Sequence, residues 1–148
     1  MPPKTGPGTV NDAFFRFVVD MGGPGPDKGQ GGKYLILGPG QKAPANTDGY
    51  FMARSPSKIN WLILRGFLDA SGKPDTAVND FRKDLKIYPF NLRQNPPANH
   101  FKNLTDQPGN TIHANNFKFY EEVNQVVQRE PASLFSPELL GILSLIHI

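Results

Sequence analysis

Few side chains in this chain of 148 residues stand at the spacings that catalytic or metal chemistry requires. Ser55-Pro56-Ser57-Lys58 repeats the S-x-x-K of penicillin-recognising serine enzymes. That motif works at a helix start with S-D-N and K-T-G elsewhere, and neither occurs here. Ser/Pro turn chemistry accounts for the four residues. The histidines, His100, His113 and His147, are 13 and 34 residues apart, and none belongs to an H-E-x-x-H pair. A metal site would need long-range convergence, and none is assigned. The glycines of Gly22–Lys33 invite a phosphate-loop reading, but Gly32-Lys33 is followed by Tyr34, and Asp27 stands where the first glycine belongs. The dinucleotide pattern fails as well. Carboxylates are scattered singly apart from Glu121-Glu122, whose spacing puts them on a solvated helix face. Asn103-Leu104-Thr105 is a glycosylation sequon, meaningful only in a secreted eukaryotic protein. No catalytic residue and no cofactor follow from these patterns.

Three side chains remain as candidates for ligand binding: Arg65, His113 and Arg54. Arg65 lies between Ile63 and Phe67 in an apolar run, and as a strand Ile59, Trp61, Ile63, Arg65 and Phe67 share one face. A guanidinium there must be paired or stacked on a ring, or its burial costs several kcal/mol. Asp69 and Asp48 are the available partners. Arg65 is thus either an anion anchor or half of a structural ion pair, and the pair is the simpler reading.

The elements that must position these groups are strands first and helices second. Apolar runs bounded by turn signals read as strands over 13–20, 33–37, 50–54 and 59–68. Gly38-Pro39-Gly40 ends the second of them, and Asp48-Gly49, a hairpin-type dipeptide, leads into the third. Residues 1–11, rich in Pro, Gly and Thr, read as a flexible N-terminus. Helical spacing of Val78, Phe81 and Leu85 after Asp75 predicts a helix over 75–85 with Asp75 as N-cap. A second helix is expected over 116–129, with Phe117, Tyr120, Val123 and Val127 on its apolar face. A third is expected over 137–146, with Ser136 as N-cap and Pro137 first in the helix. The fold class is α+β: an antiparallel β-sandwich, partially jelly-roll-like, in the N-terminal half, with two to three C-terminal helices.

Composition agrees with that division. Thirteen of the 15 glycines fall in residues 1–74, where turns outnumber helices. The net charge of +3 splits into +4 for that half and −1 for the other. Charge this thinly spread lacks the clustered basic face of a nucleic-acid binder. The absence of cysteine excludes disulfides and thiolate metal sites. No stretch approaches the roughly 20 apolar residues of a membrane span. MPPKTGPGTV has no apolar signal-peptide core.

Read together, GGKYLILGPG, DGYFMARSPSKINWLILRGFLDASGKPDTAV, FRKDLKIYPF and NTIHANNFKFYEEV resemble the bacterial family catalogued as domain of unknown function 1254. Its members are usually joined to a C-terminal partner, domain of unknown function 1214. The resemblance implies a jelly-roll-like antiparallel sandwich with added helices in proteins that tend to form homo-oligomers. It also implies a periplasmic or secreted location, since many members carry export signals. It implies no reaction. The family's N-x-D-T-x-Y strand region has no counterpart here, and LLGILSLIHI ends the chain on an uncovered apolar run. The chain is therefore expected to be an internal piece whose partners are N-terminal strands and a C-terminal domain of the same protein. Two functions follow as expectations: a structural or ligand-binding module of an oligomeric envelope-associated protein, or part of a hydrolase or other small-molecule enzyme completed by further sequence.

Overall fold

The computed structural model describes residues 1–109 and 111–145. Its strands are β1 (Gly8–Asp12), β2 (Phe17–Met21), β3 (Lys33–Leu37), β4 (Tyr50–Arg54) and β5 (Asn60–Leu64). Helices α1 (Asp75–Asp84), α2 (Lys118–Val127) and α3 (Pro137–Leu145) follow, with short 3-10 turns at Phe90–Leu92 and Ala132–Leu134. The class is α+β, with the strands of the described residues in the N-terminal half. His147 and the expected last residue of α3 lie outside the described residues.

Residues 1–11 are not a loose tail. They supply β1, which sits at the centre of an antiparallel sheet ordered β2-β1-β5. Gly8, Val10 and Asp12 point inward while Thr9 and Asn11 point out. Gly8 is there for room: a Cβ would stand 2.4 Å from Leu64 Cδ2. Glycine that reads as disorder in the sequence is close strand packing in the fold.

The strand expected over 13–20 begins only at Phe17, because residues 13–16 form the tip of the β1–β2 hairpin. Asp12 N–H donates to Arg16 O at 2.9 Å and Phe15 N–H to Asp12 O at 3.0 Å. Phe15 takes a left-handed φ of 61°, a position that glycine or asparagine usually fills. Its ring lies 4.9 Å from that of Trp61, a contact that offsets part of the roughly 1–2 kcal/mol of backbone strain.

β3 and β4 form a second sheet, and they run parallel, Lys33 opposite Tyr50 through Leu37 opposite Arg54. Antiparallel pairing thus holds for β2-β1-β5 and not for this pair. Asp48-Gly49 does make a turn, with Tyr50 N–H on Thr47 O at 3.0 Å and Gly49 at φ +78°. It ends a crossover of a dozen residues, which parallel strands require, instead of joining a hairpin.

The buried apolar residues are few: Val10, Met21, Leu35 and Leu37 from the strands, Ala77 and Leu85 at α1, and Leu134 and Phe135 between α2 and α3. The outer face of the three-stranded sheet is open, with Phe17 68%, Trp61 49% and Ile63 39% exposed. α1 begins after Pro74 with no side-chain cap, so Asp75 is its first residue and not its N-cap. Asp75 near the start and Arg82 and Lys83 near the end suit the helix dipole. α3 does begin as its sequence implies, Leu139 N–H donating to Ser136 Oγ at 3.2 Å.

Candidate functional site

A groove of about 340 Å³ lies between α2 and the tip of the first hairpin. That volume lies at the lower end of the range for small-molecule sites, ~300–1,000 Å³. One wall is Ala13 and Phe14 from the tip; the other is Phe119, Glu122, Val123, Val126 and Val127 of α2. Phe135 and Glu130 close one end, and His113 lines the groove from the segment before α2. The spacing 119, 123, 126/127, 130 is a helical stripe that shares Val123 and Val127 with the apolar face expected from the sequence, while Phe117 and Tyr120 of that face lie outside the groove. Phe117 and Tyr120 are exposed.

Local chemistry explains the placement of each wall. Phe14 is turned toward Phe135, their ring centroids 5.8 Å apart in an edge-on contact. The Arg16 guanidinium lies over the Phe14 ring at 5.3 Å. Asn116 Oδ1 accepts the Lys118 N–H at 3.0 Å and starts α2. Glu130 is buried, and its two oxygens accept the backbone N–H groups of Lys58 at 2.6 Å and Ile59 at 2.8 Å. Glu122, on the α2 wall, is partly exposed and pairs loosely with Lys118 at 3.9 Å.

His113 is the one sequence candidate that the groove includes. Its ring sits 5.1 Å from Phe119, and Nδ1 contacts Ala114 O at 3.0 Å. Arg54 lies elsewhere, at the end of β4, donating from Nη1 to Gln41 O at 2.9 Å. Arg65 is neither buried nor paired among the described residues: β5 ends at Leu64, and Arg65 is exposed with its backbone N–H on Pro7 O at 2.9 Å. The face expected to bury it is the open outer face of the sheet, so no partner is needed there. The three candidates do not converge on one cavity.

The remaining motif residues serve the fold. Ser57 is fully buried, donating to Ile59 O at 2.6 Å and accepting from Ala13 N–H at 3.0 Å. Ser55 Oγ accepts the Ser57 N–H at 3.2 Å. Asp27, in the glycine-rich loop, accepts from Gly22 N–H at 2.7 Å, Gly31 N–H at 3.1 Å and Tyr34 Oη at 2.5 Å. Burial first, and then the hydrogen bond to Asp27, push the Tyr34 hydroxyl well above the ordinary tyrosine range. Among the described residues no group of three His, Asp or Glu side chains could hold a metal ion, and no histidine is hydrogen-bonded to a serine, threonine or carboxylate. No described helix is long and apolar enough to cross a membrane. A second cleft, about 130 Å³ between Lys4, Thr5, Phe67–Asp69 and α1, is below the size of small-molecule sites.

A family model described as "Protein of unknown function (DUF1254)" matches residues 2–89. The chain belongs to this family. The DUF1254 span holds all five strands and α1, and with them the hairpin-tip wall of the groove and the Lys58 and Ile59 amides. The α2 wall, Glu130 and Phe135 lie beyond it. No curated protein matches the chain.

Sequence reasoning missed Phe14, Glu130 and Phe135. Phe14 carried a signal, since Ala13–Asp20 has aromatic residues on both would-be strand faces. Glu130, just before Pro131 and one turn past the last valine of α2, carried none that distinguishes it from a solvated carboxylate.

Proposed function

We propose that this DUF1254 chain is a binding module, and that its α2 groove receives a small apolar molecule. One observation supports this most: seven of the ten lining side chains (Ala13, Phe14, Phe119, Val123, Val126, Val127 and Phe135) are hydrocarbon only. The buried carboxylate at the end, Glu130, accepts a backbone N–H on each of its two oxygens, so it serves the fold in this groove. An apolar lining with a few polar groups is the ordinary make-up of a ligand site. The module works within a larger, oligomeric envelope-associated protein, as the family resemblance implies.

Titration with the neutral probe N-phenyl-1-naphthylamine, followed by its emission, tests this. A saturable rise is expected, with Kd on the order of micromolar. Val126→Asp changes a residue already 42% exposed, so the fold tolerates it, while the carboxylate in the groove weakens binding by about tenfold or more. A linear, unsaturable signal, or unchanged binding in the variant, contradicts the proposal.

A further inference from the structure

We infer that Glu130 is the latch of the groove, a positioning residue that holds the α2 wall against the hairpin-tip wall; its effect on affinity rests on the binding role proposed above. A continuous hydrogen-bond relay joins the two walls. Ala13 N–H, on the hairpin tip, donates to Ser57 Oγ at 3.0 Å, and Ser57 Oγ donates to Ile59 O at 2.6 Å. Ile59 N–H and Lys58 N–H then donate to the two oxygens of Glu130, at the end of α2.

Among the described residues, these two Glu130 bonds are the hydrogen bonds that join residues 118–145 to the N-terminal half, at the connection between β4 and β5. Burial in this part of the chain is confined to Glu130, Leu134 and Phe135, while α2 buries none of its residues fully. The helical arm is thus held at one end, where Glu130 grips and Phe135 meets Phe14. A carboxylate on two successive amides fixes orientation as well as distance, since both charge-assisted bonds must be met together. With the latch released, the α2 stripe has little to keep it facing Phe14.

The test compares full-length wild type, Glu130→Ala and the milder Glu130→Gln, which keeps one acceptor. Amide hydrogen exchange is read at Lys58, Ile59, α2 and β1, alongside the N-phenyl-1-naphthylamine titration. In Glu130→Ala, exchange at Lys58, Ile59 and α2 is expected to rise by at least about tenfold, the factor carried by one lost charge-assisted bond. β1 keeps its protection, and probe affinity falls by a similar factor. Glu130→Gln should lie between the two. Unchanged exchange at Lys58 and Ile59 overturns the latch. So does an equal rise in β1, which marks Glu130 as a general stabiliser. If wild type fails to bind the probe, the binding role falls, while the exchange data still decide the latch. Should Glu130→Ala not fold, Glu130→Gln carries the same comparison.

Discussion

Asp12 and Arg16 face each other across the tip of the first hairpin, and the arginine bonds to the carboxylate twice. Its side-chain Nε donates to Asp12 Oδ2 at 2.6 Å, and its backbone N–H to Oδ1 at 2.9 Å. Phe14 N–H adds a third bond to Oδ1 at 2.8 Å. Asp12 is sealed from solvent although it lies near the surface, and Arg16 is 54% exposed. Burial alone raises the carboxyl pKa, but the bonds from Arg16 and Phe14 together outweigh it and hold the group below its ordinary value. Asp12→Ala orphans two amides at the tip and should cost about 1–3 kcal/mol by urea unfolding. The sign with pH follows from the lowered native pKa. The contribution is complete above the unfolded carboxyl value of about 3.9 and drains away as the pH falls below it, through the native value. The wild-type and Asp12→Ala stabilities should therefore converge in acid; a constant gap down to the lowest pH at which both fold would contradict this.

Gly66 leaves room for α1. A Cβ at this position would stand 2.3 Å from the Ala77 Cβ, inside any real contact distance. Ala77 is the buried residue of α1. Gly66→Ala should cost about 1–3 kcal/mol by overpacking. Ala77→Gly alone costs about 1 kcal/mol in helix propensity. The double variant should be less destabilised than the sum, and additive values in the cycle would show that the two residues do not touch.

Tyr34 reports on the glycine-rich loop. Its hydroxyl donates to Asp27, which also accepts from Gly22 and Gly31 and so gathers both ends of that loop. With the native pKa raised, the contribution is present below the unfolded tyrosine value of about 10 and is lost as the pH rises above it. In an absorbance titration at alkaline pH, Tyr34 should ionise late, and Tyr34→Phe should remove that late component. Loss of an early component instead would place Tyr34 in solvent. The same variant should cost about 1.5–3 kcal/mol near neutral pH, as a hydrogen bond to a charged group does.

Local signals in the sequence reached the elements bounded by strong punctuation. β3 lies between Gly32 and Gly38-Pro39, β4 between Gly49 and Ser55-Pro56, and α3 starts at Ser136-Pro137. Two features depended on distant neighbours and were not legible. β1 hides in a Gly/Pro-rich segment because Gly8 is chosen by the nearness of Leu64, 56 positions on. The parallel sense of β3 and β4 follows from where the crossover runs, which turn dipeptides do not encode. The expected burial of Arg65 did not hold for a related reason. Alternation told which residues share its face but not that the face is left uncovered. His113 was reached by residue type alone, and its groove became visible only when α2 and the hairpin tip were placed together.

The central claim is that the groove between α2 and the hairpin tip binds an apolar molecule. The most direct measurement is amide and methyl chemical-shift mapping by nuclear magnetic resonance during titration with N-phenyl-1-naphthylamine. The expected result is saturable shifts concentrated at Ala13, Phe14, Val123, Val126, Val127 and Phe135, with Phe17, Trp61 and Ile63 on the open sheet face unmoved. Shifts centred on Phe17, Trp61 and Ile63, or spread evenly over exposed apolar side chains, would contradict it.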